Sequence, residues 1–277
     1  MNLLRRIACL PGLRAVLLRP AVRRRVAGVL ALRFLAVAWC TDAPLRFLDD
    51  ELVLARGRAR SHRLRDGRSV TIVHGRDTQA FDEIFRGGEY EPPGELAARL
   101  GAVRRIVDVG GNVGLFAAWA VGRWPGAHVI SIEPDPDNLA PFRSWLSASG
   151  TRAVELIEAC ALTHAGNAVP AGGSGAGSSF VESVVGGVRG IDLFEHLDGV
   201  DLLKIDIEGG EWPLLADDRL RELHDLALVM EYHRRGAPSL PAYDAARDLL
   251  TAAGFEIRGH RPNHWGHGVL WASKGAA

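Results

Sequence analysis

The chain has 277 residues, enough for one large domain with a substantial core. Its 47% hydrophobic and 24% charged residues are ordinary for a globular protein, and its formal net charge of zero gives no basis for nucleic-acid binding. The three cysteines, Cys9, Cys40 and Cys160, are too far apart for a metal-binding spacing or a disulfide framework, which predicts a cytoplasmic protein.

Residues 1–45 are predicted to form a basic helical lead. The first 41 residues contain eight arginines and no acidic residue, and Val26–Cys40 is apolar except for Arg33. This run of about 15 residues is shorter than the roughly 20 that a membrane-spanning helix needs. The first interpretation is an amphipathic cap on the main domain. The alternatives are peripheral contact of residues 1–41 with the inner face of an anionic membrane, and a signal peptide.

Residues 46–100 are predicted to form a small accessory segment, β-rich and then helical. The predicted strands are Leu52–Leu54 and Ser69–Val73, with a hairpin turn at Asp66-Gly67 between them. The predicted helices are Arg76–Tyr90 and Gly94–Leu100. Pro92-Pro93 separates the two helices, because proline interrupts helical hydrogen bonding.

Strands and helices then alternate through a main domain, residues 101–277. The predicted strands are Arg105–Val109, His128–Ile132, Val154–Glu158, Asp201–Ile207, Ala227–Glu231, Phe255–Arg258 and Val269–Ala272. The predicted helices are Val113–Gly122, Asp137–Ser149, Glu211–Ala216 and Pro241–Ala253. This alternation predicts an α/β fold with a parallel sheet and helices on both faces.

A glycine-rich insertion, residues 166–190, interrupts the alternation. One interpretation is a flexible surface loop. The other is a mobile flap over the functional site, because glycine permits the backbone changes that a lid requires. Both interpretations stay open at the level of the sequence.

A glycine turn follows the first strand of the main domain. Dinucleotide sites use G-x-G-x-x-G, whereas Asp108-x-Gly110-x-x-x-Gly114 has Asn112 where the second glycine would stand. A diphosphate therefore fits poorly. The backbone N–H groups of the turn and the helix N-terminus favour a smaller anion, such as an amino-acid carboxylate. Asp108 can face a cation such as an α-ammonium, and S-adenosylmethionine carries both groups.

The second strand of the main domain ends in an acid, Glu133, 23 residues after Gly110. This spacing fits a carboxylate that accepts the hydroxyls of a ribose. Its alternative role is to cap the following helix, which Asp135 or Asp137 would serve better. A nucleotide-linked oxidoreductase and a non-catalytic membrane-attached binding module stay open as alternatives to a methyltransferase.

Ionisable residues follow two neighbouring strands at their carboxyl ends. Asp206 and Glu208 alternate with Lys204, and Glu231 and His233 repeat the pattern on the next strand. We predict Asp206, Glu208 and His233 as catalytic, because methyl transfer to a hydroxyl requires removal of its proton. A buried ion-pair cluster with Lys204 is one alternative, and a Mg²⁺ site is another. No metal site is predicted.

Residues 106–233 resemble the FkbM family of S-adenosylmethionine-dependent methyltransferases. The matching stretches are Val107–Gly114, Ile132–Pro136, Leu202–Glu211 and Glu231–His233. The resemblance implies a class I methyltransferase fold, which is Rossmann-like and has seven strands with the last antiparallel. It also implies methylation of oxygen on a sugar, a glycolipid or a natural product.

The motifs and the resemblance together define a predicted cofactor site for S-adenosylmethionine. Its members are Asp108, Gly110, Gly111, Asn112, Gly114, Glu133, Pro134 and Asp135. The resemblance further implies that Ala159–Leu162 lies beside the adenine. The expected partner is a small-molecule or glycan acceptor, with no nucleic acid.

Overall fold

The computed structural model describes residues 31–172, 177, 179–263 and 265–275. Most of the basic lead predicted over residues 1–45 lies outside them, although residues 31–38 are helical. Val37 is buried and Arg33 forms an ion pair with Asp82 at 2.6 Å, so this helix packs on the rest of the chain. Among the described residues, no helix combines the length and apolarity needed to cross a bilayer.

The accessory segment folds as a helix, a π-helical turn, a hairpin and two further helices. In chain order these are α1 (Pro44–Asp49), the π-helical turn Asp50–Leu54, β1 (Ala59–Arg63), β2 (Ser69–Val73), α2 (Thr78–Phe85) and α3 (Gly94–Arg99). The antiparallel pairing of β1 with β2 confirms the hairpin around Asp66-Gly67. The strand predicted at Leu52–Leu54 is wrong. In that turn Asp50 and Glu51 are buried and the three apolar side chains are exposed, which reverses the burial that the apolar run suggested.

Side-chain hydrogen bonds attach the hairpin to the main domain. The indole Nε1 of Trp145 donates to the backbone oxygen of Ser69 at 2.7 Å. The guanidinium of Arg68 donates to the backbone oxygens of Ala118 and Trp119, each at 3.1 Å. The accessory segment therefore packs on the helical layer that covers one face of the large sheet.

The main domain alternates strands and helices as predicted. Its first strands are β3 (Arg105–Val109), β4 (His128–Ile132), β5 (Val154–Ile157) and β6 (Cys160–Leu162), and its later ones are β10 (Leu202–Ile205), β11 (Ala227–Tyr232), β12 (Glu256–Pro262) and β13 (Gly268–Ser273). Its helices are α4 (Leu115–Arg123), α5 (Pro136–Ser149), α6 (Glu211–Ala216) and α7 (Ala242–Ala252).

Seven of these strands form one sheet in the order β12-β13-β11-β10-β3-β4-β5. Neighbours from β11 to β5 are parallel, and β13 is antiparallel to both of its neighbours. One core cluster includes Ile106 and Trp145, and the other includes Val107 and Leu228. Because Ile106 and Val107 are consecutive in β3, they point to opposite faces, and the sheet is covered on both. This is the predicted class I methyltransferase architecture.

The described residues of the glycine-rich insertion form strands, which differs from the surface loop that was one of its two interpretations. Its described residues form β7 (Gly166–Gly172), β8 (Ser179–Ser183) and β9 (Val188–Asp192), which join β6 in a four-stranded sheet of order β6-β9-β7-β8. Gly187 has a φ of 98°, and a Cβ there would lie 2.1 Å from the backbone oxygen of Ala168. The glycine thus allows the chain to pass close to β7. In a sequence, a glycine required for close packing looks the same as a glycine in a flexible loop.

Candidate active site

The glycine turn between β3 and α4 packs directly against the end of β10. Gly110 has a φ of 85°, and a Cβ at this position would lie 1.9 Å from the backbone oxygen of Asp206. Gly114, at the N-terminus of α4, would place a Cβ 2.9 Å from the rings of Phe142 and Trp145. Close packing therefore requires glycine at both positions. The turn is in direct contact with the backbone at Asp206, which follows β10.

The backbone N–H groups of this turn are used within the chain. Gly110 and Gly111 both donate to the oxygen of Ile132 at 3.0 Å, and Gly114 donates to the oxygen of Gly111 at 2.9 Å. The N–H of Asn112 donates to Glu133 at 2.7 Å. These four N–H groups are therefore already paired within the chain. The expectation that the turn and the helix N-terminus bind a small anion stays a prediction, and it depends on the other N–H groups at the start of α4.

The carboxylate of Glu133 lines the cavity beside this turn and is held by the chain on three sides. Its Oε2 accepts from the N–H of Asn112, and its Oε1 accepts from the N–H of Asp135 at 2.8 Å and from Nδ2 of Asn138 at 3.2 Å. Burial outweighs these hydrogen bonds and raises the pKa of Glu133 to about 7. A carboxylate has about four acceptor positions, so Glu133 retains capacity for one further donor.

Asp108 is fully buried, and its partner is a lysine rather than a ligand. Its Oδ1 lies 3.0 Å from Nζ of Lys204, and its Oδ2 accepts from the hydroxyl of Ser131 at 2.8 Å. Nζ of Lys204 also donates to the oxygen of Gly110 at 2.7 Å. The predicted contact of Asp108 with a cofactor ammonium is thus not provided by this geometry. Asp108 and Lys204 thus form a buried ion pair that stabilises the glycine turn.

A cavity of about 730 Å³ lies above the carboxyl ends of the central strands, within the size range of small-molecule sites. The residues predicted for the site that line it are Gly110, Gly111, Asn112, Glu133, Pro134, Asp206 and Glu208. Glu231 lines it too, as do Cys160, Ala161 and Leu162 of the segment expected beside an adenine. Four predicted site residues do not line it, namely Asp108, Gly114, Asp135 and His233. Asp135 caps α5 by accepting from the N–H of Asp137 at 2.9 Å.

Several further carboxyl groups line the cavity, namely those of Glu83, Glu89, Asp206 and Glu231. Burial, with the negative charges of Glu83 and Asp206, raises the pKa of Glu89 to about 8. Burial and the charge of Asp206 also raise the pKa of Glu231. Asp206 is about a quarter exposed, accepts a hydrogen bond from the hydroxyl of Tyr90 at 3.2 Å and lies 4.0 Å from Nζ of Lys204. Asp206 thus lies close enough to Glu89 and Glu231 for its charge to raise the pKa of both acids.

His233 is buried beside the cavity without lining it. Its Nδ1 lies 3.1 Å from Oε1 of Glu211, whose oxygen also accepts from the backbone N–H of His233 at 2.8 Å. Burial alone would lower the pKa of His233, but the hydrogen bond and charge of Glu211 outweigh it and raise this pKa to about 10. Nε2 of His233 lies 3.8 Å from Glu208 and 3.9 Å from Glu231, and its catalytic role stays a prediction.

Several cavity residues were not predicted from the sequence. Glu83 and Glu89 of the accessory segment line the cavity, with Tyr90 beside them, and Phe180 and Glu182 of the small sheet close it from the other side. No motif marks these positions, because they come from segments that do not adjoin the central strands in sequence. Only their three-dimensional packing reveals them.

Two groups of histidines and carboxylates among the described residues have ligand atoms within 4.8 Å of one another. One comprises Glu231, His233 and His267, beside the cavity. The other comprises Asp50, His62 and His74, in the accessory segment. A Mg²⁺ site at Asp206 and the neighbouring carboxylates was one alternative from the sequence. Neither group corresponds to it, because both contain imidazoles and Mg²⁺ prefers oxygen ligands.

Comparison with known proteins matches more than half of the chain to one protein family. The methyltransferase FkbM domain matches residues 108–257. The AMB antimetabolite synthetase AmbE of Pseudomonas aeruginosa PAO1 is 26% identical in an alignment of 230 positions that covers 64% of this chain. The chain spans only 10% of the length of that relative.

Two solved structures illustrate the similarity. The methyltransferase FkbM of Methylobacillus flagellatus KT is 18% identical, with a TM-score of 0.44 over 70% of this chain and 52% of its own. The fibrillarin of Aeropyrum pernix, solved with natively bound S-adenosyl-L-methionine, is 16% identical, with a TM-score of 0.42 over 79% of this chain and 96% of its own.

Proposed function

Because this chain belongs to the FkbM methyltransferase family and is thus an S-adenosylmethionine-dependent methyltransferase, we propose that it methylates a hydroxyl of a sugar, glycolipid or natural product. Family membership favours a methyltransferase over the two alternatives, the nucleotide-linked oxidoreductase and the non-catalytic module. The observation that carries the proposal is the placement of Asp206 in the same cavity as Glu133, so that a proton acceptor and a ribose-binding carboxylate line one space.

The cofactor side of the cavity offers groups that fit S-adenosylmethionine. Glu133 has one acceptor position left for a ribose hydroxyl. The Oδ1 atom of Asn112 is buried, has no hydrogen-bond partner and belongs to a residue of the cavity wall, so it suits a donor from the methionine end. Cys160 and Leu162 give an apolar surface for the adenine. When bound, S-adenosylmethionine supplies an electrophilic methyl group on a sulfonium.

On the acceptor side we assign the proton transfer to Asp206. Its carboxylate accepts the hydroxyl proton of the acceptor as the oxygen forms its new bond. The hydroxyl of Tyr90 donates to Oδ2 of Asp206 and so orients the carboxylate. Glu231, whose pKa is raised, keeps its proton and can donate a hydrogen bond to an acceptor oxygen. Asp206 thus takes the role of proton acceptor, and the neighbouring Glu231 takes the role of hydrogen-bond donor.

The pH dependence of cofactor binding tests the role of Glu133. Its pKa of about 7 means that the group is ionised above pH 7 and protonated below, and the neutral acid accepts hydroxyl donors more weakly. The affinity for S-adenosylhomocysteine should therefore fall between pH 8 and pH 6, by at most about tenfold per pH unit below the pKa. Isothermal titration across this range measures it.

The variant Glu133→Gln should bind weakly at every pH and show a flat profile. Asp137→Asn, an exposed change in the first turn of α5, serves as the matched control and should keep the wild-type profile. An unchanged profile in Glu133→Gln would assign the pH dependence to another group.

We propose that the acceptor is lipid-linked and is met at a membrane surface. Leu32 and Leu35 lie on one side of the helix over residues 31–38, Trp39 follows directly after it, and each side chain is at least half exposed. All three belong to the first 41 residues, which contain eight arginines and no acidic residue. Apolar side chains beside basic ones are typical of segments that contact anionic lipid surfaces.

A methyl-transfer screen tests the acceptor class. We would supply S-adenosylmethionine carrying a labelled methyl group with three panels, namely free sugars, lipid-linked glycans in anionic vesicles, and amines of similar size. Methyl ethers formed only in the vesicle panel would support the full proposal, and ethers of free sugars would support it without the membrane. Methylation of amines alone would overturn it.

A further inference from the structure

A group of buried polar side chains lies in the accessory segment, away from the cavity. Asp50, His62 and His74 each offer a ligand atom within 4.8 Å of the other two, and their exposed fractions are 5%, 5% and 0%. They come from the π-helical turn, from β1 and from the residue after β2. Tertiary packing therefore assembles three potential metal ligands from three separate elements. The reaction proposed above makes no use of them.

The carboxylate of Asp50 has one buried oxygen without a hydrogen-bond donor and two arginines only at long range. Its Oδ2 atom accepts no hydrogen bond. The nearest cationic atoms are Nε of Arg46 and Nε of Arg60, each 3.8 Å from a carboxylate oxygen, which is beyond hydrogen-bonding distance. A buried carboxylate oxygen without a donor is costly, and a bound cation would satisfy it.

His74 is oriented by a second carboxylate on the side away from His62. Its Nδ1 lies 2.8 Å from Oε2 of Glu51, which also accepts from the hydroxyl of Thr78 at 2.6 Å. A carboxylate can only accept here, so Nδ1 of His74 carries the hydrogen and its Nε2 faces the Nε2 of His62, 2.8 Å away. Metal-ligating histidines are typically held in this way, with a carboxylate behind the ring.

We propose that Asp50, His62 and His74 bind a divalent transition-metal ion such as Zn²⁺, with Glu51 orienting His74. Two imidazoles and one carboxylate suit Zn²⁺ better than Mg²⁺ or Ca²⁺, which prefer oxygen ligands. Zn–N distances of about 2.0–2.1 Å separate two tetrahedral nitrogens by about 3.3 Å, so the two rings move apart by about 0.5 Å on binding. The metal replaces the hydrogen shared by the two rings, and water takes the fourth position.

This site would fix one wall of the cavity. The three ligands join the π-helical turn to the hairpin β1-β2, and Glu51 continues the network to Thr78, the first residue of α2. The same helix contributes Gln79 and Glu83 to the cavity wall. The ion is thus structural, and it acts on the acceptor side of the cavity rather than on the cofactor side.

Metal content and spectroscopy of the full chain test the site directly. The protein, purified without a histidine tag, should contain about one Zn²⁺ per chain by elemental analysis. Co²⁺ substituted for it should give the visible absorption of a tetrahedral site with nitrogen and oxygen ligands. Removal of the metal with a chelator should lower Tm by several degrees, and added Zn²⁺ should restore it. A wild-type protein that takes up neither ion at one per chain would overturn the proposal.

Variants locate the ion. Asp50→Asn, which keeps the size of the side chain, and His62→Asn should abolish the Co²⁺ absorption, and Glu51→Gln should weaken metal binding by about 10- to 100-fold. Asp218→Asn and His224→Asn, at exposed positions, are the matched controls and should keep it. Retained binding of S-adenosylhomocysteine shows that each variant is folded. Loss of the metal in His267→Asn, with retention in Asp50→Asn, would place the ion beside the cavity instead and refute the proposal.

Discussion

Replacement of Asp206 with asparagine should lower kcat for methyl transfer by about 100- to 10,000-fold, the range typical for removal of a general base. The change keeps the size of the side chain and an oxygen that can accept the hydrogen bond of Tyr90. The affinity for S-adenosylhomocysteine should therefore stay within about threefold, since Asp206 lies on the acceptor wall. Steady-state kinetics with the acceptor found in the screen, together with isothermal titration, measure both quantities.

The pH profile distinguishes a base from a merely structural carboxylate. The charge of Asp206 helps to raise the pKa values of Glu89 and Glu231, so its removal should lower both and shift the pH dependence of the residual activity to lower pH. Asp218→Asn, at an exposed position, is the control. An Asp206→Asn enzyme that retains more than about a tenth of wild-type kcat would show that another group takes the proton.

Replacement of Lys204 with methionine should destabilise the protein by about 3–5 kcal/mol, the cost of leaving a buried charge without its partner. Lys204 is 2% exposed, and burial alone would lower its pKa. The charges of Asp108 and Asp206 outweigh burial and raise this pKa, so the lysine is charged. Its loss leaves Asp108 unpaired and removes a donor from the oxygen of Gly110. Urea unfolding followed by tryptophan fluorescence measures the change.

A second variant separates the unpaired charge from loss of packing. Adding Asp108→Leu to Lys204→Met removes the buried carboxylate as well, and the double variant should be more stable than Lys204→Met alone. Arg143→Ala, which breaks the exposed pair with Glu158, should leave the unfolding midpoint near its wild-type value. If the double variant were no more stable than the single one, the ion pair would not be the source of the effect.

The alternation of strands and helices predicted the central sheet well, because short apolar runs are strong signals where both faces are buried. The predicted bounds of β3 and β4 agree with the structure, whereas β10 ends at Ile205, two residues earlier than predicted. Beyond it Glu208 has a φ of 53°, so the strict alternation assumed from Lys204 to Glu208 does not hold there. The carboxylate nevertheless lines the cavity.

The errors arose where tertiary packing decides a residue's environment. Asp108 has the sequence position of a cofactor ligand, but its neighbour across the sheet is Lys204, and nothing in the local sequence reveals that pairing. The proton affinity of His233 depends in the same way on Glu211, 22 residues earlier in the chain. Glu83 and Glu89 carried no signal, because a solvated helical face and a cavity wall look alike in a sequence.

The small four-stranded sheet enters the chain between β5 and β10 and contributes Phe180 and Glu182 to the cavity. Among the described residues, its strands make no ladder with the seven-stranded sheet. The small sheet can therefore change in sequence without altering the register of the larger sheet or the glycine turn. We expect that grafting residues 166–190 between homologues would exchange acceptor preference while leaving the proposed methyl-donor site intact.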